Sequence, residues 1–179
     1  MEKLSSEELL SQYATGRRDF RYVDVSDAYL FEANLPEADF SHSNLTGVHL
    51  PYANLNQVNL SKANLQKAEL GDIQLYQADL SGADLRGANL SRANLRFAKL
   101  QQVNLADADL QGADFYHADL TDCNLTNANL SRANLDKAQF VNAQLSGANL
   151  FRAQQADLTG AYLDKTTTFP DGHRQDAAD

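Results

Sequence analysis

The run Ala78-Asp79-Leu80-Ser81-Gly82-Ala83-Asp84-Leu85-Arg86-Gly87-Ala88-Asn89-Leu90-Ser91-Arg92-Ala93-Asn94-Leu95 decides the fold. A leucine returns every fifth residue. Two places before it stands alanine, and just before it stands aspartate or asparagine. Followed outward, the spacing holds from Phe20 to Leu150 without a slip, giving 27 consecutive centres occupied only by Leu, Phe and Val. Ordinary elements cannot use this period. On an α-helix a five-residue step turns about 500°, so the centres would spiral around the surface. On a flat strand an odd step would send them to alternate faces, and a coiled coil needs 3.5-residue spacing. What remains is a coil that turns within every unit. Its alanine and its centre point inward, and each turn buries its apolar face against the next.

The unit Ala-(Asp/Asn)-Leu-x-x resembles the motif of the pentapeptide-repeat family, and the resemblance covers residues 18 to about 163. It implies an all-β solenoid, a right-handed quadrilateral β-helix with four units, or about 20 residues, per coil. The 27 units then form nearly seven coils, and a rod about 30–33 Å long at a coil spacing of about 4.8 Å. Residues 20 apart stack in columns. Phe40, Leu60, Leu80, Leu100, Leu120 and Phe140 form one inner column. Val23, Ser43, Val48, Val58, Ile73, Val103 and Cys123 replace alanine at inward positions and read as gap fillers, so Cys123 is expected to be a buried hydrophobe rather than a nucleophile. The recurrent Asp/Asn reads as a motif residue bonding along the stack.

The chain divides into an N-terminal capping helix (1–17), the repeat rod (18–163) and a C-terminal cap with a polar tail (164–179). Ser5 and Glu8 fit a capping box, Leu4 and Leu9 a hydrophobic staple, and Gly16 a stop. These predict a helix over about 6–15 that lays Leu9, Leu10 and Tyr13 on the first coil. The stretch Leu9 to Phe20 resembles the same region of heterocyst-differentiation regulators among pentapeptide-repeat proteins. At the far end Leu158 follows Leu150 after eight residues instead of ten, a deletion that tightens one corner. Phe169, in the turn-rich Thr166–Gly172 segment, is placed to lid the last coil.

The 179 residues carry a net charge of −9. Such a chain is a poor binder of phosphate backbones, since each contact needs Lys or Arg. The N-terminus shows no secretory signal and no stretch is apolar enough to span a bilayer, so the expectation is a soluble cytoplasmic protein, a monomer or weak homodimer. No catalytic motif is present, and the four histidines share no column. No enzyme activity, metal or cofactor is therefore expected, and function should lie on the outer surface.

Two outer faces differ from the rest. The face built on centres 35 to 135 stacks Tyr76, Arg96 and Tyr116 in one column, with Phe97 and His117 beside them. Tyr, Arg and Phe together compose an interaction hot spot. The same groups also suit a ladder that merely stabilises the rod. The next face carries Phe31, Pro51 and Tyr52 near one end and Arg92, Arg132 and Arg152 further along; with Gly112, Glu69, Asp72 and Asp109 among them, it reads as a mixed solvated surface. Two functions follow. One is a scaffold or regulator that binds another protein. The alternative, implied by the resemblance to gyrase-protecting family members, is DNA mimicry toward gyrase or another topoisomerase. Charge weighs against mimicry. Residues 18–152 sum to −5, where B-DNA of the same length bears roughly 20 negative charges.

Overall fold

A computed structural model describes residues 1–174. After the N-terminal cap the chain winds as a four-sided solenoid. The residue before each centre forms a parallel bridge with the residue 20 further on, from Asp19–Asp39 through Asn134–Gln154. All 27 centres from Phe20 to Leu150 are buried, the column from Phe40 to Phe140 among them, as are the substituted inward positions from Val23 to Cys123. Phe20 and Phe40 stack at 5.2 Å and close the first coils.

One unit shows why the motif has its form, because all five of its backbone N–H groups find acceptors. The Leu60 N–H donates to the Asp79 carbonyl of the next coil (2.7 Å), and the Lys62 N–H to Ser81 (2.9 Å). The Ala63 N–H closes the corner on the Leu60 carbonyl (3.0 Å), and the Asn64 N–H reaches back to Ser43 (2.9 Å). That leaves Ser61, whose N–H has no carbonyl to meet. The Asn59 Oδ1 accepts it at 3.0 Å. The same bond recurs at Asp79–Ser81, Asn89–Ser91, Asp119–Thr121 and many other corners. The Asp/Asn position is therefore first a local turn former. Bonds along the stack are an addition available to asparagine, as where the Asn134 Nδ2 donates to Asp114 at 2.8 Å. The expected bonding along the stack is thus present beside the turn-forming role, Asp24 and Asp109 accepting from Asn44 (3.1 Å) and Asn129 (3.0 Å).

Each corner also forces its last residue to positive φ. The 27 corner residues from Tyr22 to Arg152 lie between 54° and 71°, and only five of them are glycine. This is the third position of a turn that favours glycine or asparagine, so the tertiary ladder overrides local preference at most corners.

At the N-terminus, α1 (Ser6–Ala14) starts where the capping box predicts. The Glu8 N–H donates to Ser5 Oγ (3.2 Å) and the Ser5 N–H to Glu8 Oε2 (2.8 Å). Leu4 and Leu9 are buried, and the Tyr13 hydroxyl donates to the Pro36 carbonyl (2.8 Å). Leu10 does not lie on the coil. It is 39% exposed, because one residue past Leu9 the helix has turned by about 100° and carries the side chain toward solvent. A two-residue strand, β1 (Glu2–Lys3), pairs in parallel with β2 (Val23–Asp24) and extends the ladder past the first coil.

At the C-terminus the shortened spacing appears as the bridge Gln144–Tyr162, 18 residues instead of 20. One residue is regained before the next bridge, Asn149–Thr168. Thr167 is the residue sealed inside, its hydroxyl donating to the Leu145 carbonyl (2.8 Å). Phe169 follows the Leu150 column, half-buried, and stacks on His173 at 5.1 Å. His173 and Arg174 belong to this closing turn rather than to a polar tail, Arg174 bridging antiparallel to Thr168. The remaining tail positions lie outside the described residues.

Candidate protein-interaction face

Outward positions are the residue before each centre and the two after it. On the face of centres 35 to 135, Tyr76, Arg96, Phe97, Tyr116 and His117 form one continuous cluster. Phe97 meets Tyr76 edge-on at 5.7 Å and Tyr116 edge-on at 5.5 Å, and stacks flat on His117 at 5.2 Å. Tyr116 also meets His117 edge-on at 4.5 Å. The Arg96 guanidinium lies 4.5 Å above the Tyr116 ring while pairing with Asp114 at 3.1 Å, and Lys137 approaches the same ring from the next coil at 5.4 Å. Each such contact contributes about 0.5–1.5 kcal/mol. The rings are thereby held in place. Tyr76 and Tyr116 are half-buried by their neighbours, and Phe97 stands out at 38% exposure.

The histidines have a common role that the sequence reading did not extract. Each stacks on an aromatic ring: His42 on Tyr22, His49 on Tyr29, His117 on Phe97 and His173 on Phe169. Three of the four pairs are 20 residues apart, so for His42, His49 and His117 the signal was present as an aromatic residue one coil earlier. Phe31 and Tyr52 meet edge-on at 5.8 Å and are more exposed than Phe97. They belong to the face of centres 30 to 150.

The carboxylates are largely engaged. Hydrogen bonds from Arg92 hold Asp72 below the usual carboxylate range, and Arg86 does the same for Asp84. Asp119 is also lowered; partial burial opposes the shift, but hydrogen bonds from Thr121 and Gln101 outweigh it. Burial acts the other way on Cys123, pushing its thiol up to about 12. A thiol so placed is unreactive. Ellman's reagent should titrate no thiol in the native chain and one after denaturation; a thiol reacting at once in the native chain would contradict the packing of this column.

The family model for pentapeptide repeats matches eight copies, over residues 24–61, 53–92, 88–127 and 113–152. The chain belongs to the pentapeptide-repeat family. Its solenoid is thus the right-handed quadrilateral β-helix of that family. Among solved structures, this pentapeptide-repeat chain is similar to HetL of the cyanobacterium Nostoc sp. strain PCC 7120, a protein involved in heterocyst differentiation regulation. The identity is 28%, covering 96% of this chain and 100% of that one, with a TM-score of 0.41. A thylakoid-lumen pentapeptide-repeat protein of Arabidopsis thaliana is 31% identical over 64% of this chain and 70% of its own, with a TM-score of 0.42. Full-length QnrB1, a plasmid-mediated fluoroquinolone resistance protein, is 20% identical over 91% and 89%, with a TM-score of 0.48. No curated protein matches the chain. Among the described residues, no helix is long and apolar enough to cross a membrane.

Proposed function

We propose that this pentapeptide-repeat chain is a non-enzymatic scaffold or regulator that binds another protein through the Tyr76–Arg96–Phe97–Tyr116–His117 face. The carrying observation is the fixed ring cluster, with Arg96 held over Tyr116 and Phe97 outward. Aromatic and guanidinium groups already immobilised lose little entropy on binding, which favours their use as anchors. DNA mimicry gains nothing from four of the rod's acidic groups. Asp72, Asp79, Asp84 and Asp114 each face an Arg or Lys, so they do not present a phosphate-like array.

The test is affinity capture from the native host's lysate by the wild type and by the double variant Arg96→Glu/Tyr116→Ala. Both sites are on the surface, so circular dichroism should be unchanged. A protein retained by wild type and lost by the variant is the expected result. Equal retention by both would remove this face from the reading, and equal retention of gyrase subunits would favour mimicry.

A further inference from the structure

We propose that the face built on centres 30 to 150 is a self-association surface, on which a second copy of the chain lies antiparallel. One of its columns carries Glu32, Tyr52 and Asp72 toward the N-terminal end and Arg132 and Arg152 toward the C-terminal end. The adjoining column has Phe31 at one end, Phe151 at the other, and Pro51, Gly71, Ser91, Gln111 and Ser131 between them. Glu32, Arg132 and Arg152 form no ion pair among the described residues. Phe31 and Tyr52 are more than half exposed, and Phe151 is 39% exposed. A face with acid at one end, base at the other and aromatics at both is complementary to its own reverse.

The geometry of a two-fold axis makes this specific. An axis lying in the interface and crossing the rods at the Arg92 coil keeps each column opposite itself and reverses its direction. Glu32 then faces Arg152 of the second copy, Tyr52 faces Arg132 as a cation–π pair, and Phe31 faces Phe151. Every contact occurs twice. The centre also fits. Arg92 bends back toward Asp72 and pairs with it through two bonds, of 2.8 and 2.5 Å. The raised Asp72–Arg92 pair of one copy lies opposite Gly112 of the other, where the missing side chain leaves a notch of about 300 Å³ lined by Arg92, Gln111, Gly112 and Arg132. The Asp72 carboxylate thus enters between two arginines. A parallel arrangement instead sets acidic end beside acidic end.

The narrow face limits the strength of the association. A strip about 30 Å long and about 10–12 Å wide covers roughly 300–400 Å² per copy, well below the roughly 800 Å² of a standard interface. Glu69 faces Asp109 across the axis, although each already accepts a bond from an asparagine amide. The association is therefore weak and reversible. This surface is separate from the Tyr76–Tyr116 face, so either proposal can fail alone.

Sedimentation equilibrium of the full chain, from about 5 to 500 μM, should show a monomer–dimer equilibrium. Glu32→Arg alone and Arg152→Glu alone should each weaken it at least about tenfold, since each sets like charges opposite each other twice. The double variant Glu32→Arg/Arg152→Glu should restore it. As a second measure, the pair Phe31→Cys/Phe151→Cys should oxidise to a covalent dimer, while Phe31→Cys alone should not. Those two positions stand roughly 29 Å apart within one chain, too far for an internal disulfide, and buried Cys123 is silent. A chain that stays monomeric throughout, a double variant no better than the singles, or cross-linking by Phe31→Cys alone would overturn the proposal.

Discussion

Leu100→Ala should lower the free energy of unfolding by about 2–5 kcal/mol, toward the upper part of that range, whereas Leu10→Ala should change it by less than about 0.5 kcal/mol. Leu100 is buried between Leu80 and Leu120. What sets the cost is how far the site can collapse around the missing atoms. Here it can collapse little. The Leu100 N–H is bonded to the Asp119 carbonyl at 2.8 Å, and the Leu80 N–H to Lys99 at 2.8 Å, so the ladder holds the coils apart at fixed spacing. The cavity therefore persists. Mid-rod position adds to the effect, because a solenoid's stability sums over neighbouring interfaces and a central coil has two of them. Urea unfolding followed by circular dichroism would measure both variants, with midpoints compared at unchanged slope. Equal losses at Leu10 and Leu100 would mean that the exposed helix position covers core after all.

That contrast also marks what could be read in the sequence. The five-residue period identifies every centre, because only inward positions are held to apolar residues through the whole rod. The capping box locates the start of α1 for a similar reason: Ser5 and Glu8 satisfy each other's backbone locally. Which face of a nine-residue helix meets the coil is a tertiary matter: Leu9 and Tyr13 meet it and Leu10 does not. β1 is two residues long and has no periodicity to recognise. The two-residue deletion after Leu150 was visible in the spacing. The return of one residue by Thr168 was not, since it goes with a hydroxyl–carbonyl bond from Thr167 inside the last corner. In the candidate face, columns 20 residues apart predicted that Tyr76, Arg96 and Tyr116 stack. The flat pairing of Phe97 with His117 follows from the same arithmetic, and so do Tyr22 with His42 and Tyr29 with His49.

The corner geometry yields the sharpest single-residue test. Asp107→Pro should destabilise the chain by about 3 kcal/mol or more, while Ala106→Pro, one residue earlier, should stay within about 1 kcal/mol of wild type. Asp107 has φ 60°, and proline is locked near −65°. Its N–H also donates to the Thr126 carbonyl of the next coil at 2.9 Å, a bond proline cannot make. Ala106 precedes it at the first corner position, which Pro36 and Pro51 occupy elsewhere in the rod. Its N–H donates only to the Asn104 side chain, at 3.2 Å. Losing that bond is partly offset by the smaller conformational freedom of proline in the unfolded chain. The residue before the new proline would be Leu105, a bridge-flanking centre, and proline's bias toward extended conformation suits that place. Thermal unfolding of the two variants side by side would decide the matter. Similar midpoints for both would mean that the corner can relax to negative φ, and that the positive φ seen at corner after corner is not required by the coil.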